Sequence, residues 1–419
     1  MQRRHFLKLL PASLLPAVAG GCAVLRVDPY HVLIRSPYID TPEREQEILS
    51  RGKVEWTNDG RIRVLTCRGT AYERGYQHGK LLRAEVNDNI GFLYEQAVRK
   101  FRSPELLAEI YERMRPYIPQ DYVEEMHGLA HGARMPLHVI QAAHILPELG
   151  EWSGKKHIKK VLDQMLAGDL ATSCSNLCAG GQATADGSFY AVRILDWGMH
   201  RISKLHQYPL IAINYPERGI PSANIGWVGF LGCVSGMNAE GITIGEMGYG
   251  DPPNETLFGK PMPFMLRDVM THASNLAEVR GVITDSLPTC SYVFLMTDGK
   301  TGQGEMYVRD PDRFLVFHAG DDVRDKKDHL PPIQDTVYGG HYNDRMTEIL
   351  NVNHGKLTPE MLMNDIIPKI AMPSNFQNVV YDPKNLRFWV ANAKNRAEWA
   401  ASQPYTQFDF GAALRSNKA

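Results

Sequence analysis

The chain has 419 residues, 43% of them hydrophobic and 22% charged, which excludes a disordered or collagen-like polymer and allows one large domain or two smaller ones. Its 46 lysines and arginines face 47 aspartates and glutamates, a net charge of -1, so no basic surface for nucleic acid is expected.

The first 22 residues have the layout of a secretory leader. Arg3 and Arg4 precede an apolar stretch that starts at Phe6, and small residues follow it. The stretch is too short for a spanning helix. The arginine pair followed by Phe6, Leu7 and Lys8 resembles a twin-arginine signal. Ala19-Gly20-Gly21-Cys22 resembles a bacterial lipobox, which makes Cys22 the expected lipidation site and a membrane tether. A periplasmic or cell-envelope location follows as an expectation.

Residues 23–60 carry Pro29, Pro37 and Pro42 and read as a tether and entry segment. Arg61 to Cys67 alternates like a short strand. A glycine-punctuated stretch, Gly69 to Gly79, leads into helical spacing: Ile90, Leu93, Ala97 and Phe101, then Leu106, Ile110 and Met114. From Gly79 to about Leu149 the chain is therefore expected to be helical. The pattern changes after Thr172. Ser175 to Thr184 and Phe189 to Ile194 read as strands around Asp186-Gly187, a hairpin signal. Further hairpins are expected around Asn238 to Gly241, around Asp298-Gly299 and around Asp382 to Asn385. Lys260 to Val282 and Pro359 to Ile370 have helical periods. Hairpins separated by helices predict an α+β fold, with antiparallel sheets covered by helices.

Cys174 stands where the helical half ends and the first strand begins. Arg193 and Asp196 lie three apart at the end of the returning strand, so the hairpin can bring all three to one mouth of the sheet. A guanidinium there favours thiolate over thiol.

The run from Cys174 through Asp186-Gly187 into Arg193-Ile194-Leu195-Asp196-Trp197 resembles the start of the mature chain in N-terminal-nucleophile hydrolases. The nearest group is the acyl-coenzyme A:6-aminopenicillanic acid acyltransferase family, related to choloylglycine hydrolases. The likeness extends to Gly69–Gly79, Met126–Ala133, Gly236–Gly241 and Gly340-His341-Tyr342-Asn343. It implies an αββα sandwich over 174–419, preceded by a helical pro-segment over 61–173, and self-cleavage at Ser173-Cys174 into α and β chains. It also implies attack by Cys174 on an amide, giving hydrolysis or N-acyl transfer of a small-molecule acyl amide or acyl donor. On this resemblance Asn343 donates to the oxyanion, Asn238 contacts it, Asp196 binds the α-amine and Arg193 tunes the thiol. No cofactor or metal is implied.

Other readings of the residues stay open. His200, His206 or His341 could serve Cys174 as base in an uncut hydrolase. A periplasmic lipoprotein that only binds acylated ligands is the non-enzymatic alternative. His127 and His131 are four apart but lack the glutamate of a zinc helix. With Cys22 and Cys174 set aside, Cys67, Cys178, Cys233 and Cys290 allow up to two disulfides in an oxidising compartment.

Overall fold

A computed structural model describes residues 39–155, 172–249, 256–324 and 329–416. The leader, with Arg3, Arg4 and Cys22, lies outside the described residues.

The fold starts from a close helix pair. Helix α1 (Pro42–Ser50) precedes strands β1 (Lys53–Trp56) and β2 (Arg63–Gly69), then α2 (Ala71–Leu81). Thr70 caps α2, and Glu73 returns the bond to the Thr70 backbone, a reciprocal capping box. Helices α3 (Arg83–Phe101), α4 (Pro104–Met114), α5 (Gln120–Ala133) and α6 (Leu137–Lys155) follow. α2 and α5 cross backbone to backbone. A Cβ on Gly75 would stand 2.0 Å from the Glu125 carbonyl oxygen, and one on Gly128 2.0 Å from that of Tyr72. Gly79 and Gly132 repeat the contact one turn on, at 2.3 and 2.4 Å. Only glycine permits this approach, which explains the glycine spacing of both stretches.

The rest of the chain builds two sheets. Strands β3 (Thr172–Ala179), β4 (Tyr190–Trp197), β5 (Pro209–Pro216), β6 (Ser222–Trp227), β7 (Gly236–Asn238) and β8 (Ile242–Gly248) lead to helices α7 (Met262–His272) and α8 (Leu276–Asp285). Then come β9 (Tyr292–Asp298), β10 (Gln303–Asp310), β11 (Arg313–His318), β12 (Val323–Arg324), β13 (His329–Leu330), β14 (Thr336–Gly340) and α9 (Asn343–Val352). A helical run to Ile370, β15 (Asn375–Asp382), β16 (Arg387–Asn392), β17 (Thr406–Asp409) and α10 (Phe410–Ser416) complete the chain. One sheet has nine strands, ordered β1-β2-β5-β6-β7-β8-β9-β10-β11; the other has six, ordered β14-β3-β4-β15-β16-β17. β3 and β4 pack face to face on β8, with α2, α7 and α8 outside the larger sheet and α9 and α10 outside the smaller. The architecture is the expected α+β sandwich of αββα layers.

Three details differ from the sequence reading. The strand expected at Arg61 to Cys67 forms as β2 and pairs with β5 in parallel, and β1, from the stretch read as a tether, pairs with β2, so both stretches enter the larger sheet. β3 ends at Ala179, short of Thr184, because Gly180 and Gly181 leave the ladder; Gly181 has φ +51° and the Gly180 N–H goes to the Asp335 carbonyl. Asp186-Gly187 therefore sits in a longer connection, where Asp186 holds Ser188. The helical stretch from Lys260 is broken at Asn275, whose side chain accepts from Glu278 N and starts α8.

Candidate active site

β3 carries Cys174 into the layer between the sheets. Cys174, Asn176 and Cys178 alternate onto one face. Asn176 abuts Gly245 of β8 and Cys178 abuts Gly304 of β10, so that face looks at the larger sheet. In register, Cys174 lies opposite Leu195, Asn176 opposite Arg193 and Ser173 opposite Asp196. Directly paired residues share a face. Arg193 therefore stands on the Cys174 side, and Asp196 on the reverse side next to the Ser173-Cys174 backbone.

Arg193 is fully buried. Its Nη2 donates to Glu246 Oε2 at 2.9 Å and its Nη1 to the Ile194 carbonyl at 2.8 Å. It is also the hydrogen-bond and charge partner of the Cys174 thiol. Burial nevertheless pushes that thiol up to about 12; Arg193 pulls it down, while Glu246 and Asp196 push it up. The guanidinium is largely neutralised by Glu246, so it does not overcome desolvation. In the uncut chain Cys174 is a neutral thiol at physiological pH.

Burial pushes the Asp196 carboxyl up to about 7, against the bond from Asn375 and the Met372 backbone. Asp196 Oδ1 accepts from Asn375 Nδ2 at 2.9 Å, while Oδ2 has no hydrogen-bond partner among the described residues. The Asp196 carboxyl thus lies buried opposite Ser173, beside the bond to Cys174.

Asn343 opens α9, and its Oδ1 accepts from Gly340 N at 2.8 Å. Gly340 lies opposite Ser175, so the loop through Asn343 passes the end of β3 that bears Cys174. Asn238 is not brought to the thiol. Its Nδ2 donates to the Met270 and Ala273 carbonyls, and its Oδ1 accepts from Glu240 N and Ile242 N. Both amide atoms serve the turn into β8 and the end of α7, while Glu246 and Gly248 meet the Cys174 pocket at the far end of β8.

That pocket is about 40 Å³ and is walled by Leu195, Trp197, Val234, Met262 and Tyr292 around Cys174. Sequence reasoning missed Glu246, a lone carboxylate within a buried strand, which was the available signal. It also missed Asn375 and the α6 residues Glu148 and Glu151, which no local pattern connects to Cys174.

The histidines take other places. His200 and His206 pack on Phe376, with ring centroids 4.7 and 6.3 Å away, and burial pushes His200 down to about 4. His341 is exposed and edges onto Tyr342. His131 meets Tyr72 through its Nδ1. Among the described residues no group of three or more His, Cys, Asp or Glu side chains is placed to hold a metal. The expected disulfides are not seen among the described residues: Cys67, Cys178, Cys233 and Cys290 are buried and form no sulfur–sulfur bond there. They sit on separate elements as small core side chains, and Cys233 donates to the Ser235 carbonyl.

No family model matches the chain. It is similar to Protein dcd1B of Dictyostelium discoideum, 23% identical over 382 residues, covering 82% of this chain and 71% of that protein. It is also similar to Protein dcd1A of the same organism, 24% identical over 315 residues, covering 67% of this chain and 66% of that one. Among solved structures it is similar to the Caenorhabditis elegans ortholog of N-acylethanolamine-hydrolyzing acid amidase, with 13% identity and a TM-score of 0.41, over 50% of this chain and 93% of that one.

Proposed function

We propose that the protein is an N-terminal-nucleophile hydrolase or acyltransferase that cuts itself at Ser173-Cys174 and then attacks amide bonds with the Cys174 sulfur. The observation that carries this is the juxtaposition at the start of β3: a thiol in a pocket, Arg193 on its face, and the Asp196 carboxyl opposite Ser173.

In self-cleavage the Cys174 sulfur adds to the Ser173 carbonyl carbon. The carbon–nitrogen bond to Cys174 breaks, and the thiol proton ends on the released α-amine. Water then hydrolyses the thioester and restores the thiol. The new amine has an ordinary pKa of about 7.7–8.0, low enough to act as base near neutral pH. It supplies what the buried thiol lacks. Asp196 Oδ2 is the acceptor that holds this amine, and Arg193 faces the sulfur as it becomes a thiolate.

In turnover the amine takes the thiol proton and the sulfur adds to the substrate carbonyl. The proton passes to the departing nitrogen, leaving a thioester. Water or an acceptor amine completes hydrolysis or acyl transfer. Asn343 is the oxyanion donor in this reading, a contribution of about 3 kcal/mol for one such bond. Asn238 keeps its turn.

N-terminal sequencing, intact mass and turnover of acyl p-nitroanilides test the reading together. Cys174→Ala stays one chain and has no activity; Cys174→Ser cuts slowly; Cys178→Ala cuts and turns over normally. A Cys174→Ala protein that is cut and active sinks the assignment. Export by the twin-arginine route with lipidation at Cys22 belongs to the same proposal. Replacing Arg3 and Arg4 by lysine traps the precursor in the cytoplasm, and normal export of that variant removes the claim.

A further inference from the structure

Helix α6 precedes the Ser173-Cys174 bond, yet it walls the Cys174 pocket. Pro147 and Glu151 are four apart on one helix face and close the pocket against Met262 and Tyr292. The Glu151 carboxylate occupies the place that a side chain at Gly248 would need: a Cβ there would stand 2.2 Å from Oε1. Between them on the helix, Glu148 is fully buried and ties α6 to the same walls. Its Oε1 accepts the Met262 N–H at 2.6 Å, and its Oε2 accepts the Tyr292 hydroxyl at 2.9 Å and the Thr289 hydroxyl. Stripping a buried carboxylate of three donors carries its full desolvation penalty. Cutting a bond well downstream does not remove those donors, so the α6 wall of the pocket stays in place after the cut.

The space is about 40 Å³. One water needs about 10–15 Å³ on this measure, and a cavity that takes up benzene has about 150 Å³. With a carbonyl carbon at the sulfur, there is room for only a few further atoms.

We propose that the protein acts on amides of short acyl groups, about two to four carbons long, with α6 as the gauge: Pro147 and Glu151 set the depth, and Glu148 is the positioning residue that holds them against Met262 and Tyr292. The inference rests on Cys174 being the amide-attacking nucleophile.

The test uses the full-length processed protein with acetyl, butyryl, octanoyl and palmitoyl p-nitroanilides. Chloromethyl ketones of the same acyl lengths are run beside them, with labelling of Cys174 read by peptide mass. In the wild type, kcat/KM and labelling rate both fall at least tenfold from butyryl to octanoyl. Glu151→Ala and Pro147→Ala raise the octanoyl-to-acetyl ratio at least tenfold. Glu148→Gln raises that ratio too, whereas a merely structural role would lower all lengths alike. Equal rates for acetyl and octanoyl in the wild type, or a ratio unmoved in all three variants, overturn the gauge. If ketones label Cys174 without preference for length, only the gauge falls. If Cys174 is not labelled at any length, the nucleophile reading falls and the gauge with it.

Discussion

At the scale of single residues, the chemistry of Cys174 turns on how one guanidinium is shared. Arg193 meets the thiol and Glu246 at once, and the carboxylate cancels most of the charge that would stabilise a thiolate. Glu246→Gln keeps an acceptor for Arg193 but removes the opposing charge. The Cys174 pKa then falls by about one unit, worth roughly 1.4 kcal/mol. Alkylation of Cys174 in the uncut protein at pH 8 should run about tenfold faster, followed by mass spectrometry; an unchanged rate shows that burial alone sets the thiol. A second buried charge group makes a different prediction. Glu125 accepts from Arg267 at 2.9 and 3.0 Å and pairs with Arg74 at 3.1 Å, all out of solvent. Glu125→Gln leaves two guanidiniums short of a counter-charge, a loss of about 3–5 kcal/mol that a urea titration reads directly.

At the scale of elements, the α2–α5 crossing and the two buried histidines behind it decide how the N-terminal half is held. Gly75→Ala or Gly128→Ala forces a methyl group into a carbonyl oxygen, and neither backbone can yield without parting the helices. Each should cost about 3 kcal/mol or abolish soluble expression, whereas Gly150→Ala, with open space around its Cβ, should be tolerated. His78 on α2 and His144 on α6 each accept a backbone N–H through Nε2, from Gly229 at 2.9 Å and Leu231 at 2.8 Å. Burial pushes both down to about 4. The unfolded chain takes up protons from pH 6.5 downward while the folded one resists until about 4, so acidification through this window removes stability. At pH 5 the loss is on the order of 2 kcal/mol per histidine. Urea midpoints at pH 7 and pH 5 should therefore differ, and His78→Gln should shrink the difference. An equal difference in that variant removes His78 from the account.

At the scale of the whole molecule, residues 42–155 are built into the same fold as the strands that follow them. β1 and β2 extend the larger sheet, Asn89 on α3 donates to the Val228 carbonyl, and Glu125 of α5 holds Arg267 of α7. If the chain is cut at Ser173-Cys174, the two fragments should co-elute as one particle on size exclusion and separate only in denaturant. Separation in buffer alone would mean that β2 leaves β5 at little cost, against the buried core between them.

What the sequence determined by itself was local. That Cys174 lies on one strand and Arg193 and Asp196 on its neighbour was readable from two strand-like runs flanking Asp186-Gly187, whereas the register and the face each residue takes were not. The glycine spacing of Gly69–Gly79 and Met126–Ala133 was visible, and so were the hairpins at Asn238–Gly241, Asp298-Gly299 and Asp382–Asn385, because turn chemistry is carried by adjacent residues. Only the tertiary structure decided that the four glycines let α2 and α5 touch backbone to backbone, that Arg193 is spent on Glu246, 53 residues away, and that Asn238 belongs to a turn and not to the pocket. The same holds for Glu148 and Glu151. Their helix period says that they share one side of α6, but what faces that side depends on how α6 packs against α7 and β9, a contact between segments more than 100 residues apart. Such contacts arise from burial and shape, to which no short motif is bound.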